Sequence, residues 1–171
     1  GIAFQRGTGD SSGYHWELFV VDSLGRNERQ LTANRWSSQV PSWLPGGREL
    51  VCYANPEGRD QLFVLDVASR GVRPLHRSTG NDTAPSASPD GRFVAFNSDR
   101  DGVLDLYLLE VRSGAVTRLT TGLGVRSQPS WSRDGRRLLF SALATGVDEI
   151  YRISRDGTGL VRLTTGWEGT R

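Results

Sequence analysis

The sequence predicts an all-β fold, a β-propeller of about four blades, each built from four short antiparallel strands. Three observations support this prediction. Sequence markers recur every 44 residues along the 171-residue chain, each repeat contains four short apolar runs, and turn-forming residues separate those runs. A fixed period of this length indicates a repeat architecture and therefore decides the fold class.

Three kinds of marker keep the spacing of 44 residues. An acidic or amide residue, an aliphatic residue and an aromatic residue stand together at Glu17-Leu18-Phe19, Gln61-Leu62-Phe63, Asp105-Leu106-Tyr107 and Glu149-Ile150-Tyr151. A leucine precedes Thr or His at Leu31-Thr32, Leu75-His76, Leu119-Thr120 and Leu163-Thr164. A Pro-Ser pair begins Pro41-Ser42-Trp43, Pro85-Ser86-Ala87 and Pro129-Ser130-Trp131. Because independent markers share one period, the chain is a tandem array.

The third repeat shows the predicted elements in order. Its four apolar runs are Pro85-Ser86-Ala87, Phe93-Val94-Ala95-Phe96, Leu106-Tyr107-Leu108-Leu109 and Val116-Thr117-Arg118-Leu119. Short runs rich in β-branched and aromatic residues, without helical spacing or length, are typical of strands. The Asp90-Gly91 and Ser113-Gly114 pairs between runs supply the positive φ of tight antiparallel turns.

One four-stranded unit cannot bury both of its faces, so such units are expected to stack radially. The prediction is a single propeller domain or propeller fragment over residues 1–171, with units at about 1–40, 41–84, 85–128 and 129–171. The first unit begins at Ile2-Ala3-Phe4 and is expected to lack its innermost strand. An open arc of this kind leaves sheet faces and edges exposed, which favours association of copies.

Composition excludes several functional classes. The 21 basic residues, all Arg, are balanced by 19 acidic ones, and the densest basic site is the Arg136-Arg137 pair. A nucleic-acid partner is not expected, because the clustered basic stripe it needs is missing. No apolar stretch is long enough to insert into a membrane. A single cysteine, Cys52, cannot form an intramolecular disulfide.

Several motifs match one known repeat signature. They are Pro129, Trp131, Ser132, Asp134 and Gly135; Val94, Ala95, Phe96 and Ser98; Asp99-Arg100-Asp101-Gly102; and Glu149-Ile150-Tyr151. On these residues the chain resembles the TolB-like, WD40-like β-propeller repeats over essentially its whole length. Propellers of that family commonly have six or more blades, whereas this chain supplies about four. The resemblance therefore implies a propeller fragment, a self-associating arc or an engineered cut.

The resemblance implies a non-catalytic scaffold for protein–protein interaction, periplasmic or otherwise extracytoplasmic. One alternative is the gating propeller of a prolyl-oligopeptidase-like peptidase, and another is a fragment that self-assembles into a homo-oligomer completing the propeller. Fold alone does not choose among these functions. An α/β-hydrolase segment after Arg171 would favour the peptidase reading.

The predicted contact surface is the side of the propeller with the longer loops. It comprises the second-to-third strand loops 5–16, 55–60, 97–104 and 142–148 and the connectors 33–40, 78–84 and 122–128. Trp, Tyr and Arg on rigidly held loops are the favoured anchors of protein interfaces. The candidate binding residues are Tyr14, His15, Trp16, Arg35, Trp36, Arg126 and Trp167. Trp43 and Trp131, on the first strand, are expected to pack between adjacent blades.

No catalytic, cofactor or metal site is predicted. Gly9-Asp10-Ser11-Ser12-Gly13 matches a serine-nucleophile pattern, but that chemistry requires a strand, a sharp turn and a helix, whereas a strand is expected to follow here. Asp99, Asp101 and Asp105 resemble a calcium loop only weakly, since the other repeats lack these acids, and pairing of Asp99 or Asp101 with Arg100 or a neighbouring blade is expected instead. With two histidines and one cysteine, no zinc site is expected either.

Overall fold

The computed structural model describes residues 1–10, 13–144 and 146–165, and these form four sheets with no helix among them. Blade 1 contains β1 (Ile2–Asp10), β2 (Gly13–Val21) and β3 (Arg29–Gln30). Blade 2 contains β4 (Gln39–Trp43), β5 (Glu49–Ala54), β6 (Gln61–Asp66) and β7 (Val72–Pro74). Blade 3 contains β8 (Asp82–Ala87), β9 (Phe93–Ser98), β10 (Asp105–Glu110) and β11 (Val116–Arg118). Blade 4 contains β12 (Ser130–Trp131), β13 (Arg137–Ala142), β14 (Glu149–Ser154) and β15 (Val161–Arg162).

Each blade is a simple antiparallel meander in which neighbours in sequence are neighbours in the sheet. Blades 2, 3 and 4 have four strands, and blade 1 has three, because no strand among the described residues pairs with the inner edge of β1. The predicted all-β propeller class, the four-stranded blades and the incomplete first blade are confirmed.

The first hairpin differs from the prediction. Residues 5–16 were expected to form a loop, but β1 and β2 continue through most of this segment and pair as far as Asp10 with Gly13. The strands persist because Tyr14 and Trp16 extend the alternation that brings Leu18 and Val20 to one face of the sheet. Tyr14 and Trp16 are therefore strand residues.

Three apolar clusters join the blades in series. Blade 1 packs on blade 2 through Leu18, Val20 and Leu31 against Leu50, Cys52, Phe63 and Leu65. Blade 2 packs on blade 3 through Val51 and Leu62 against Val94, Phe96, Tyr107 and Leu109. Blade 3 packs on blade 4 through Ala95, Leu106, Leu108 and Leu119 against Leu138, Phe140, Tyr151 and Ile153. Since most of these side chains are fully buried, the interfaces between blades are the hydrophobic core.

The cysteine thiol belongs to this core. Cys52 is 2% exposed, and burial raises the pKa of its thiol to about 12. Because the thiolate is the reactive form, we expect Ellman's reagent not to label the native chain and to label one thiol per chain in denaturant. Stoichiometric labelling without denaturant would show that the interface between blades 1 and 2 opens readily.

Candidate interaction face

The hairpin of blade 1 projects beyond the equivalent hairpin of blade 2. Its strands have 9 residues each, against 6 in β5 and β6. Three additional residues extend a strand by about 10 Å. This extension carries Tyr14, His15 and Trp16 on a rigid sheet at the side of the molecule where the connectors lie.

Tyr14 is the exposed aromatic residue of this hairpin. Its side chain is 66% exposed, and its ring lies 5.8 Å from that of Trp16 in an edge-to-face arrangement. Tyr14 also covers Gly7 on the paired strand, where a Cβ would clash with the phenol ring. The two contacts hold the ring in place while leaving most of it available to a partner.

His15 points to the opposite face of the hairpin. It is half-buried beside Thr8, its partner in the strand register. Its Nε2 atom is buried and has no hydrogen-bond partner among the described residues. His15 is therefore separated from Tyr14 and Trp16 by the sheet itself.

Arg35 lies at the same corner as the base of the projecting hairpin. Its side chain is exposed, and its backbone N–H donates to Glu17 Oε1 at 3.2 Å. Arg35 adopts a positive φ of 60°, so the connector turns sharply at this point. Tyr14 and Trp16 on the hairpin, together with Arg35 beside Glu17 at its base, are called the aromatic corner below.

The other predicted contact residues lie elsewhere. Trp36 is half-buried against Phe63, with ring centroids 5.5 Å apart, and belongs to the packing between blades 1 and 2. Arg126 is exposed at the far end of the array, where its Nε atom lies 3.8 Å from Asp148 Oδ1. Trp167 lies outside the described residues. The predicted set is thus divided, and among its described members Tyr14 and Trp16 are in ring contact.

Trp43 and Trp131 are inter-blade residues. Trp43 packs on the cluster between blades 1 and 2, and Trp131 packs on the cluster between blades 3 and 4. Trp131 Nε1 donates to the carbonyl of Ser86 at 2.9 Å, which links the innermost strands of blades 3 and 4. These tryptophans hold the blades together.

A repeated polar clip fastens the connectors to the blades, and sequence analysis missed it. The hydroxyl of Thr32 donates to Glu17, that of Thr120 to Asp105 at 2.7 Å, and that of Thr164 to Glu149. The same hydroxyls accept the backbone N–H groups of Leu18, Leu106 and Ile150, each at 2.9 Å. The available signal was the constant spacing of 15 residues between each acid and its threonine.

Asp105 shows how firmly such a clip is held. Its carboxylate has no exposed area, and it accepts Arg118 Nη2 at 2.6 Å and the backbone N–H groups of Gly122 at 2.7 Å and Leu123 at 3.1 Å. Burial acts to raise the pKa of Asp105, but the hydrogen bonds from Arg118, Thr120 and the connector amides outweigh it and lower the pKa. The connector after blade 3 is therefore part of the rigid scaffold.

Blade 2 replaces the clip with a larger buried cluster. His76 occupies the threonine position, and its Nε2 atom lies 2.8 Å from Asp82 Oδ2. Arg100 Nη2 lies 2.9 Å from both oxygens of Asp82, whose side chain is completely buried. The spacing of the sequence did not indicate this cluster, because its members come from a connector, an innermost strand and a hairpin loop.

The three acids of the apparent calcium loop are bound by groups of the protein, and Arg118 pairs with two of them, at 3.4 Å from Asp101 and 2.6 Å from Asp105. Asp99 accepts the backbone and side-chain amides of Asn81 at 2.7 and 2.8 Å, and Asp101 accepts the hydroxyl of Tyr107 at 2.6 Å. Asp105 belongs to the clip, and Arg100 pairs with Asp82 instead of Asp99 or Asp101. Within the described part of the chain, no group of three His, Cys, Asp or Glu side chains could hold a metal ion.

The serine-nucleophile pattern falls on a β-hairpin. Gly9 lies in β1 and Gly13 begins β2, so the pattern leads into a strand, whereas a nucleophile elbow requires a helix at this point. Ser11 lies outside the described residues. Over the ranges that the structure describes, no helix is long and apolar enough to span a membrane.

Comparison with known proteins identifies the fold family. No curated protein matches the sequence. Among solved structures, putative TolB from Agrobacterium tumefaciens superposes with a TM-score of 0.83 at 22% identity, over 95% of this chain and 61% of that one. TolB from Acinetobacter baumannii superposes with a TM-score of 0.78 at 22% identity, over 94% of this chain and 40% of that one. A puromycin hydrolase superposes with a TM-score of 0.72 at 18% identity, over 96% of this chain and 29% of that one.

These similarities establish the fold, and the chain spans less than two thirds of each of those proteins. The family model of the TolB beta propeller domain matches residues 2–170. This match covers nearly the whole chain and agrees with the four sheets and their serial packing. The chain belongs to the TolB β-propeller domain family.

Proposed function

We propose that the chain is a non-catalytic propeller scaffold that binds a protein partner through the aromatic corner. The observation that carries the proposal is the 66% exposure of Tyr14 on a hairpin that projects past its neighbour. Aromatic and arginine side chains on a rigid support are the usual anchors of protein interfaces, because they bury a large area at little cost in conformational entropy. Trp16 lies beside Tyr14, and Arg35 lies at the base of the same hairpin, next to Glu17.

Family membership supports an extracytoplasmic site of action for this scaffold. Solved proteins that share its fold are described as TolB, and the resemblance to that family implies a periplasmic setting. The envelope fraction of the source organism is therefore the place to search for the partner.

Capture experiments with matched variants test the aromatic corner. We expect Tyr14→Ala and Arg35→Ala each to reduce capture of the envelope partner by roughly tenfold or more, which is the size of a hot-spot loss. Leu24→Ala is the control, because Leu24 is also exposed, at 71%, but lies in the turn between β2 and β3 on the opposite side of the blade. Equal capture by all three variants and the unmodified chain would disprove the assignment.

The second candidate is the propeller of a peptidase, and the superposition on a puromycin hydrolase favours it. In that case the chain would gate a hydrolase domain encoded in the same gene, and the aromatic corner would contact that domain. Sequencing the complete gene distinguishes the two functions. In both cases the chain alone is expected to show no esterase or peptidase turnover that Ser11→Ala removes.

A further inference from the structure

Every interface between blades is assembled from the same two halves. At each interface, the blade that comes later in the chain contributes two cross-strand pairs between its second and third strands. One pair is aliphatic, and the other contains an aromatic residue. The pairs are Leu50 with Leu65 and Cys52 with Phe63, Val94 with Leu109 and Phe96 with Tyr107, and Leu138 with Ile153 and Phe140 with Tyr151. We call this the leading half.

The preceding blade supplies aliphatic side chains from the other face of the sheet. In the first three blades they include Leu18 and Leu31, Val51 and Leu62, and Ala95, Leu106 and Leu119, all of which are at most 8% exposed. We call this the trailing half. Each interface joins a trailing half to a leading half, so the two halves differ in composition and do not pair with themselves.

Among the described residues, no blade covers the trailing half of blade 4. Leu139, Ile150 and Leu163, each 44 residues after Ala95, Leu106 and Leu119, are 43%, 46% and 49% exposed. Arg152 occupies the position at which blades 2 and 3 have the aliphatic residues Val64 and Leu108. The stem of an arginine can lie along an apolar surface while its guanidinium stays in water, so the face still suits apolar packing.

The leading half of blade 1 is likewise left uncovered by the blades that the structure describes. Ile2 pairs with Val21, and Phe4 pairs with Phe19 with ring centroids 5.7 Å apart, which repeats the arrangement of the other leading halves. Ile2 is 54% exposed, although its equivalents Leu50, Val94 and Leu138 have no exposed area.

An arginine above the aromatic pair is compatible with such an interface. The Arg6 guanidinium lies 5.3 and 4.8 Å from the rings of Phe4 and Phe19. Arg100 lies 5.4 and 4.9 Å from the rings of Phe96 and Tyr107, whose leading half is buried between blades 2 and 3.

We propose that the trailing half of blade 4 binds the leading half of blade 1 from a second copy of the 171-residue chain. A second copy carries the half-interface that each open face lacks. The three interfaces within the chain show that a trailing half packs on a leading half. The contact is heterologous, so copies join head to tail and either close a ring or extend further. This inference is independent of the aromatic corner, because the two faces use different residues.

Two complementary variants test the contact. Ile150→Arg blocks the trailing half and Ile2→Arg blocks the leading half, and both side chains are about half exposed, so the fold is expected to tolerate arginine. In light scattering over a dilution series, the unmodified chain should exceed the monomer mass as concentration rises. Each variant alone should remain monomeric, and an equimolar mixture should form a 1:1 heterodimer, because each variant supplies the half that the other lacks.

Three results would overturn the proposal. They are an unmodified chain that stays monomeric throughout the series, an Ile2→Arg variant that still self-associates, and a mixture that remains monomeric. Self-association of Ile2→Arg would show that trailing halves pair with each other. Far-UV circular dichroism verifies folding, and Leu163→Arg replaces Ile150→Arg if the latter does not fold.

Discussion

Asp82→Ala is expected to lower the free energy of unfolding by about 3 to 5 kcal/mol, the usual cost of removing one partner from a buried ion pair. The substitution leaves Arg100 without its carboxylate, while this guanidinium stays close to the rings of Phe96 and Tyr107. Its own side chain is 15% exposed, so water cannot replace the lost partner fully. Urea denaturation followed by tryptophan fluorescence measures the change.

Asp148→Ala is the matched control. Asp148 also faces an arginine, Arg126, but at 3.8 Å and with 56% of its side chain exposed. Its removal should change stability by no more than about 0.5 kcal/mol, because exposed ion pairs contribute little. Similar losses of unfolding free energy in the two variants would show that burial does not increase the contribution of the Asp82 ion pair.

The same carboxylate should make stability depend on pH in the acid range. Burial acts to raise the pKa of Asp82, but hydrogen bonds from His76, Ser98, Arg100 and Ser78 outweigh it, and the net effect is a lowered pKa. A lowered pKa in the folded state means that the contribution is complete above the ordinary Asp value of about 3.9 and is lost as pH falls through the folded-state pKa. Asp82→Asn should therefore flatten the decline of stability below about pH 5.

The period of the sequence predicted the blades well, because repeats of one unit must bury equivalent positions. Leu62 and Leu106 stand 44 residues apart, and both are completely buried in the packing between blades. The same period could not describe the first hairpin, where Ile2 takes the place of Leu50 at a distance of 48 residues. The glycines in this insertion suggested a loop, although the alternation of Tyr14, Trp16 and Leu18 pointed to a continuous strand.

The direction of connector side chains was not predictable in the same way. Trp36 and Arg35 are adjacent in one connector, yet Trp36 packs on Phe63 while Arg35 is exposed. Periodicity determines orientation only where the backbone is regular, and a connector with a positive φ at Arg35 has no fixed alternation. The grouping of His76, Asp82 and Arg100 likewise depends on how two blades meet, which local spacing does not contain.

Leu106→Ala is expected to lower the free energy of unfolding by about 2 to 5 kcal/mol, since it opens a cavity in the packing between blades 3 and 4. Leu106 has no exposed area and belongs to the cluster that includes Leu138 and Phe140. Ile150→Ala is the matched control, because Ile150 holds the equivalent position one repeat later and is 46% exposed. At concentrations too low for copies to associate, Ile150→Ala should lower the free energy of unfolding by about 1 kcal/mol, because little apolar area is uncovered.

The comparison becomes more informative as concentration rises. If blade 4 is covered by blade 1 of a second copy, Ile150 becomes an interface residue, and the loss caused by Ile150→Ala should increase toward that of Leu106→Ala. The loss caused by Leu106→Ala should stay constant, because its partners belong to the same chain. Equal losses in the dilute monomer would mean that the face of Ile150 is already buried within one copy, and the serial packing of four blades would then need revision.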